Sequence, residues 1–323
     1  MIKLINALLT VLAGIGAAVL LYYVLNKIAE LLPEKLEARV KPYLYILPAY
    51  LAITVYLIYP AVATVLAAFR DRRGEAWVGF ANFTDLFDDN GFLSITLFNS
   101  LLWVIIVPAA TVILGLLVAV LADKLSPRGE KLSKSIIFLP MAISAIGASV
   151  IWNFVYESRA TIGLQNAVIG LFGAGPIAWL EQNELRFNSI LLMIVLMWMQ
   201  VGFSMVLLSS AIKGVPAETL EAARIDGANE RAIFFRVVVP QIKGTIITVF
   251  ITVTIGVMKV FDIVYVMTNG GFKTNVLANE FWNQLSTNFN NGKASAIVVL
   301  LMLAVMPILF YQVRHFKAEE AAR

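Results

Sequence analysis

Long apolar blocks alternate with shorter polar stretches along the whole chain. Seven such blocks lie at about residues 5–25, 44–68, 95–122, 136–156, 189–212, 245–267 and 293–313. Each is near the ~20 residues that a helix needs to cross a bilayer. Strands do not fit as spanning elements, because an open strand edge leaves backbone groups unpaired in lipid. The alternating segments of ~10 residues that mark a barrel are missing. The pattern therefore predicts an all-α integral membrane protein, a polytopic helical bundle.

Composition agrees with this reading and narrows it. Of 323 residues, 60% are hydrophobic and 14% charged, with a mean hydropathy of +0.82; a soluble domain carries about a quarter charged residues. Cysteine is absent, which removes disulfides and thiolate chemistry, and the single histidine, His315, sits in the tail after the last block. The net charge of +4 matters less than its distribution. Lys27 to Lys41, Lys124 to Lys134, Lys213 to Lys243 and Arg314 to Arg323 place sixteen basic residues on one side, against eight on the other. The richer side is expected to be cytoplasmic, with the N-terminus outside and the C-terminus inside. The first block could be a signal peptide led by Lys3; its length and the stronger positive flank behind it favour a retained helix.

The most informative polar stretch lies between the fifth and sixth blocks, about residues 214–243. Pro216 suits a first helical turn, Glu218 complements the positive end of a helix, and Gly227 can take the left-handed conformation that ends one. A second short helix would carry Ile233, Phe234, Phe235 and Val237, with Pro240 leading into the next span. Ala222 and Ala223 give the first helix a small-residue face, and Glu221, Arg224 and Asp226 can fix register by charge. Such a segment can be a docking knob or merely a connector.

Glu221-Ala222-Ala223, then Gly227, then Val237-x-Val239-Pro240 resembles the EAA loop of binding-protein-dependent ABC importer permeases. Valines stand where that family has Ile-x-Leu before the proline. The resemblance implies that Glu221, Ala222, Ala223, Asp226 and Gly227 form a coupling helix seated on a cytoplasmic ATPase. Trp152, Phe154, Gly163 and Asn166, and the stretch Lys259-Val-Phe261-Asp262 with Tyr265, Thr268, Gly270 and Gly271, are similar to the carbohydrate branch of the family. Phe272 departs from the proline often found there. Gly292-Lys-Ala-Ser295-Ala fits the start of that branch's last helix. The extra first helix and the tail are similar to α-glucoside and glucosylglycerol-type permeases.

The resemblance implies a six-helix permease core (44–313), an extra N-terminal transmembrane helix with a cytoplasmic linker (1–43), and a cytoplasmic tail (314–323). It also implies a bacterial or archaeal inner-membrane location and no cofactor on this chain, with ATP and Mg bound by the partner. The partners implied are a cytoplasmic ABC ATPase dimer, a second and different homologous permease, an extracytoplasmic sugar-binding protein and membrane lipid, but no nucleic acid.

For the transport path, Gln200, Phe203 and Ser204 fall on one arc of the fifth span. They combine hydrogen-bonding groups with an aromatic plate, which suits a sugar; polar packing between helices reads the same way. Thr252 is the corresponding choice in the sixth span, with Thr248 and Thr254 beside it. Lys259 and Asp262, three apart, would share one helical face near the outer end of that span and either pair or snorkel outward.

Enzymatic readings find little support. Gly292-Lys293 has Thr287 where a phosphate loop needs its first glycine and Ala294 where it needs Ser or Thr. One tail histidine cannot build a triad. The expected function is a non-catalytic permease subunit of an ATP-driven importer for an α-glucoside or other glycoside. The alternatives are a permease for an amino acid or phosphate, or an ion-coupled secondary transporter, which would need more embedded acids than Asp262.

Overall fold

The structure, a computed structural model, describes residues 2–321. Arg323, at the end of the expected cytoplasmic tail, lies outside the described residues, as does the His315 side chain. The chain divides into two compact units, Met1–Leu66 and Ala67–Arg323.

In the first unit, α1 (Ile2–Glu30) and α2 (Glu34–Ile53) are joined by a short turn at residues 31–33. The Tyr22 and Tyr45 rings stack at 5.7 Å, and the Tyr45 hydroxyl donates to Asn26 Oδ1 at 2.9 Å. The cytoplasmic linker expected up to residue 43 is therefore not a linker. Pro33 holds an extended conformation that starts α2, and Glu34 and Glu37 in its first turn complement the helix dipole. The helix then passes through a π turn into α3 (Tyr59–Ala67), giving one apolar helix from Glu34 to Ala67.

In the second unit, α4 (Ala81–Asp88) precedes α5 (Phe98–Ala122), α6 (Pro127–Phe138), α7 (Ala145–Tyr156) and α8 (Leu164–Gly170). Then come α9 (Phe187–Lys213), α10 (Ala217–Ile225), α11 (Glu230–Ile233), α12 (Val239–Gln241) and α13 (Lys243–Val257). The remainder is α14 (Asp262–Met267), α15 (Leu277–Trp282) and α16 (Asn291–Ala321). The core is built mainly on α5 and α9, with Trp103, Val107, Leu192, Met193, Val195, Met205 and Leu208 all buried, and α13 adding Val249, Val253 and Val257. At one point α5 and α9 approach so closely that a Cβ on Gly115 would lie 2.7 Å from Ser204 Cβ. Small residues at such crossings are how helices pack in lipid, where exclusion of water does not drive association.

Among the described residues, five helices are long and apolar enough to cross a membrane, and counting each of two bent pairs as one span raises the number to seven. The seven expected blocks are thus present, but two are not straight spans. Residues 136–156 divide between α6 and α7, which meet at 104°. The helix tightens into a 3₁₀ turn at Leu139–Ala142, Ile143 is extended, and Ser144 starts α7 by accepting from Gly147 N at 3.1 Å. The helix in the block at 245–267 stops at Val257, where residues 259 and 260 close with shorter-range hydrogen bonds and Phe261 leaves helical geometry (φ −133°). Hydropathy continues through both breaks because most of their residues are apolar, with Ser144 and Lys259 as the isolated polar positions.

Candidate functional site: the 214–243 loop and the membrane path

Gly214 ends α9, and Pro216 (φ −58°, ψ 132°) stands at the cap of α10, one position before the first turn expected for it. Glu218 lies in that first turn and Arg224 in the last. The helix ends as a Schellman motif: Gly227 N bonds to Arg224 O and Ala228 N to Ala223 O, both at 3.0 Å. Gly227 has φ +82°, the left-handed conformation expected of it, and a Cβ there would meet nothing within 4 Å. Asn229 then caps α11 by accepting from Ala232 N at 2.9 Å.

One face of α10 is used internally. Leu220 and Ala223, with Val215 and Ala228, pack on the buried Ile233, Val238 and Ile242, and the same cluster reaches Leu116 on α5 and Ile212 on α9. Ala222 and Ala223 therefore do not form one outer face as expected: a single residue step along the helix separates their directions by about 100°, and only Ala222 is exposed. The free face carries Glu221, Ala222, Asp226, Gly227 and Ile225, the last 86% exposed. A bare isoleucine in a ring of charge and small residues is what a desolvating contact requires; its single apolar letter did not stand out in the sequence. Arg224 Nε pairs with Glu230 Oε1 at 3.0 Å, and that carboxylate holds the guanidinium proton more firmly than usual.

The path residues fare unevenly. Gln200 and Phe203 are half-buried, whereas Ser204 is fully buried against Gly115. Ser204 therefore belongs to the α5–α9 crossing and does not face open space. Thr252 is exposed, with its hydroxyl donating to Thr248 O at 2.8 Å, and Thr254 is buried and bonded to Phe250 O at 2.7 Å. Lys259 and Asp262 do not share a helical face, because the break at 258–261 separates them; both are exposed, and no ion pair joins them among the described residues. Asp262 instead sits in the first turn of α14.

The motif positions on the opposite side form a second constellation. Asn166 is 1% exposed; its Nδ2 donates to Glu157 O, Ser158 O and Ile177 O at 2.8–3.0 Å, and its Oδ1 accepts from Ile177 N and Trp179 Nε1, both at 3.0 Å. A Cβ on Gly163 would lie 2.0 Å from Glu157 O. Arg159 beside Glu157 holds that carboxyl below its ordinary range. Gly270 (φ +77°) turns tightly against the amides of Asn275 and Asn279, each 2.7 Å from where a Cβ would sit, while Gly271 O accepts from Thr274 Oγ1 at 2.7 Å. Phe272 (φ +52°) and Lys273 (φ +63°) follow. Asn188 Nδ2 takes Phe272 O at 2.7 Å, and Asn99 Nδ2 takes Lys273 O at 2.7 Å. Asn99 and Asn188 were not singled out from the sequence, although each is an isolated amide at the start of an apolar block. The proline often found at position 272 could not occupy this turn, since its ring fixes φ near −65°.

The family described as binding-protein-dependent transport system inner membrane component matches residues 93–316. The alpha-glucoside transport system permease protein of Rhizobium meliloti (strain 1021) is 40% identical, over 98% of this chain and 98% of its own length. The osmoprotective compounds uptake permease protein of Synechocystis sp. is 44% identical, over 87% of this chain and 100% of its own. Among solved structures, a bacterial ABC transporter involved in the import of the acidic polysaccharide alginate aligns with a TM-score of 0.76 at 20% identity, covering 88% of this chain and 99% of that one; this likeness shows the fold.

Proposed function

This chain belongs to the family of binding-protein-dependent transport system inner membrane components, and on that premise we propose that it is the permease subunit of an α-glucoside importer, driven through its 214–243 loop. The observation that carries the coupling role is the free face of α10, with Glu221, Ala222, Asp226 and Ile225 exposed beside a Gly227 held at φ +82°. That face would seat in a cytoplasmic ABC ATPase dimer, which binds ATP and Mg and does the hydrolysis; this chain supplies no catalysis. A second, homologous permease completes the pathway, and an extracytoplasmic binding protein delivers the solute. The basic-residue asymmetry supports an N-terminus outside and a C-terminus in the cytoplasm, across a bacterial or archaeal inner membrane.

The choice of α-glucoside rests on the end-to-end similarity to the Rhizobium protein. The Synechocystis relative favours a second reading, an osmoprotective solute. Reconstituted vesicles holding the assembled importer and its binding protein separate the two. Labelled maltose and trehalose, glycine betaine and an amino acid are offered side by side. Glucoside uptake is expected. Uptake of betaine alone would move the assignment to the second reading, and uptake of the amino acid alone would remove both. A reporter fused after Lys131 is expected to report cytoplasm, and an external signal there would reverse the topology.

A further inference from the structure

Just before the loop, α9 ends in an ion cluster that none of the sequence motifs contains. Lys134 Nζ on α6 lies 2.8 Å from Asp123 Oδ1, at the end of α5, and 2.6 Å from Glu130 Oε1. It also bonds to Ser209 Oγ on α9, and that hydroxyl bonds to Asp123 Oδ1 at 3.1 Å. Lys213, the last residue of α9, pairs with Glu130 and stands 3.7 Å from Asp123. Two ammonium groups thus balance two carboxylates across three helices. The Lys134 and Asp123 side chains are each only 19% exposed, so salt screens this cluster less than a surface pair.

The cluster also lies at a mechanical junction. Lys213 is four residues from Ala217, where α10 begins. The apolar contacts of α10 reach α5 and α9 through Leu116 and Ile212, and they do not include α6. α6 is held to α9 at two places. Near its end, Gly202 of α9 comes so close that a Cβ there would lie 2.5 Å from Ile137 O, and towards its start Lys134 bonds across to Ser209 while Glu130 pairs with Lys213. Beyond that, the chain turns by 104° into α7. A rigid element pinned at two points transmits a displacement of α9 through the bend, and freeing one pin lets it pivot.

We propose that Lys134 is a positioning residue for energy coupling: joined to Asp123, Glu130 and Ser209, it locks the cytoplasmic ends of α5, α6 and α9 into one block, so that movement of the 214–243 loop drives all three spans together. This rests on the coupling role of the loop proposed above. The coupling is carried by the cluster's geometry as well as its charge, so arginine, which can reach both carboxylates, should substitute and methionine should not.

The test uses the assembled importer in vesicles and reads ATP hydrolysed per solute imported, normalised to assembled complex. Lys134→Met should keep ATPase association and hydrolysis while uptake falls about tenfold, within the ordinary range of coupling between two sites. Lys134→Arg should restore uptake. The proposal is overturned if Lys134→Met imports as the unaltered protein does, if hydrolysis and uptake fall in proportion, or if arginine is as damaging as methionine. Should Lys134→Met not reach the membrane, Asp123→Asn, which keeps the side-chain shape, is read by the same ratio with the same consequences. Gly227→Val separates the two ideas. If it leaves ATPase association intact, the loop's coupling role is wrong, whereas unaltered coupling in Lys134→Met with lost association in Gly227→Val removes only the cluster's role.

Discussion

At Gly227 an added Cβ would meet no atom within 4 Å, and only the backbone angle of +82° demands glycine. At Gly163 the angles are ordinary (φ −71°, ψ 115°), but a Cβ would lie 2.0 Å from the Glu157 carbonyl oxygen. The two glycines mark two kinds of loop. In the 214–243 loop the turn is set by backbone geometry, and Glu221, Ala222, Ile225 and Asp226 are left exposed. On the other side the loop at 157–179 is filled by its own Asn166, and that at 268–276 by Asn188 of α9 and Asn99 of α5, which take up carbonyls that a loop in an apolar setting would leave unpaired. An exposed turn and a loop scaffold with its carbonyls paired both draw on glycine and short polar residues. They differ in whether the space around the glycine is open.

Asn166→Leu should give the largest effect, since it removes five hydrogen bonds at ~0.5–1.5 kcal/mol each and leaves their partners unmet. Folded protein in the membrane should fall severely, with new protease cleavage between residues 157 and 179. Normal levels with unchanged cleavage would mean that this loop is not held from within. Phe272→Pro comes next. It introduces the residue that the carbohydrate branch often carries, at a φ of +52° that proline cannot reach, and a misfit of this kind costs ~3 kcal/mol or more. Thermal stability of the detergent-solubilised chain should drop measurably. If it does not, the turn has a second accessible geometry.

Gly227→Val reverses the pattern. The left-handed conformation costs an L-residue about 1–2 kcal/mol, and no neighbour is struck, so membrane level should stay near normal. The end of α10 should swing, and ATPase association and uptake should be lost. Ile225→Ser should weaken association as well, with no change in level, because that side chain is 86% exposed.

How far these regions were legible in the sequence follows from the range of the forces involved. The left-handed turn at Gly227 is local: a helix start, a dipole-matched glutamate and a glycine at the right distance read directly. The apolar blocks were legible for the same reason, since hydropathy needs no partner. The bend between α6 and α7 was not, because Ile143 and Ser144 leave the apolar count unchanged while the chain turns through 104°. The burial of Ser204 was hidden for another reason: the residue that occupies its space, Gly115, is on a different helix. Lys259 and Asp262 looked like neighbours only on the assumption of an unbroken helix. Lys134, Asp123 and Glu130 entered the sequence reading as charge counted for topology or not at all; Glu130 and Lys134 are four apart on one helix, but Asp123, Ser209 and Lys213 join them only through tertiary packing.

The smallest effect is expected at Arg224, and it sharpens the comparison most finely. Arg224 lies on the 214–243 loop yet does have a partner in this chain, Glu230 at 3.0 Å. The loop's openness therefore has one apparent exception. The pair is 52% and 76% exposed on its two sides, so water and salt compete for both charges and the net contribution of such pairs is small. Glu230 raises the affinity of Arg224 for its proton; the added stability is fully present below the ordinary arginine pKa and would be lost only as pH rises through the raised one, far above working conditions. Arg224→Gln should therefore leave membrane level and the pH profile of uptake unchanged, with ATPase association altered by about twofold at most, the scale of an exposed ion pair. Any residual effect should vanish as salt is raised. A salt-resistant loss of association in Arg224→Gln, with membrane level intact, would instead show that the guanidinium exchanges Glu230 for a carboxylate on the ATPase and belongs to the docking face with Glu221 and Ile225.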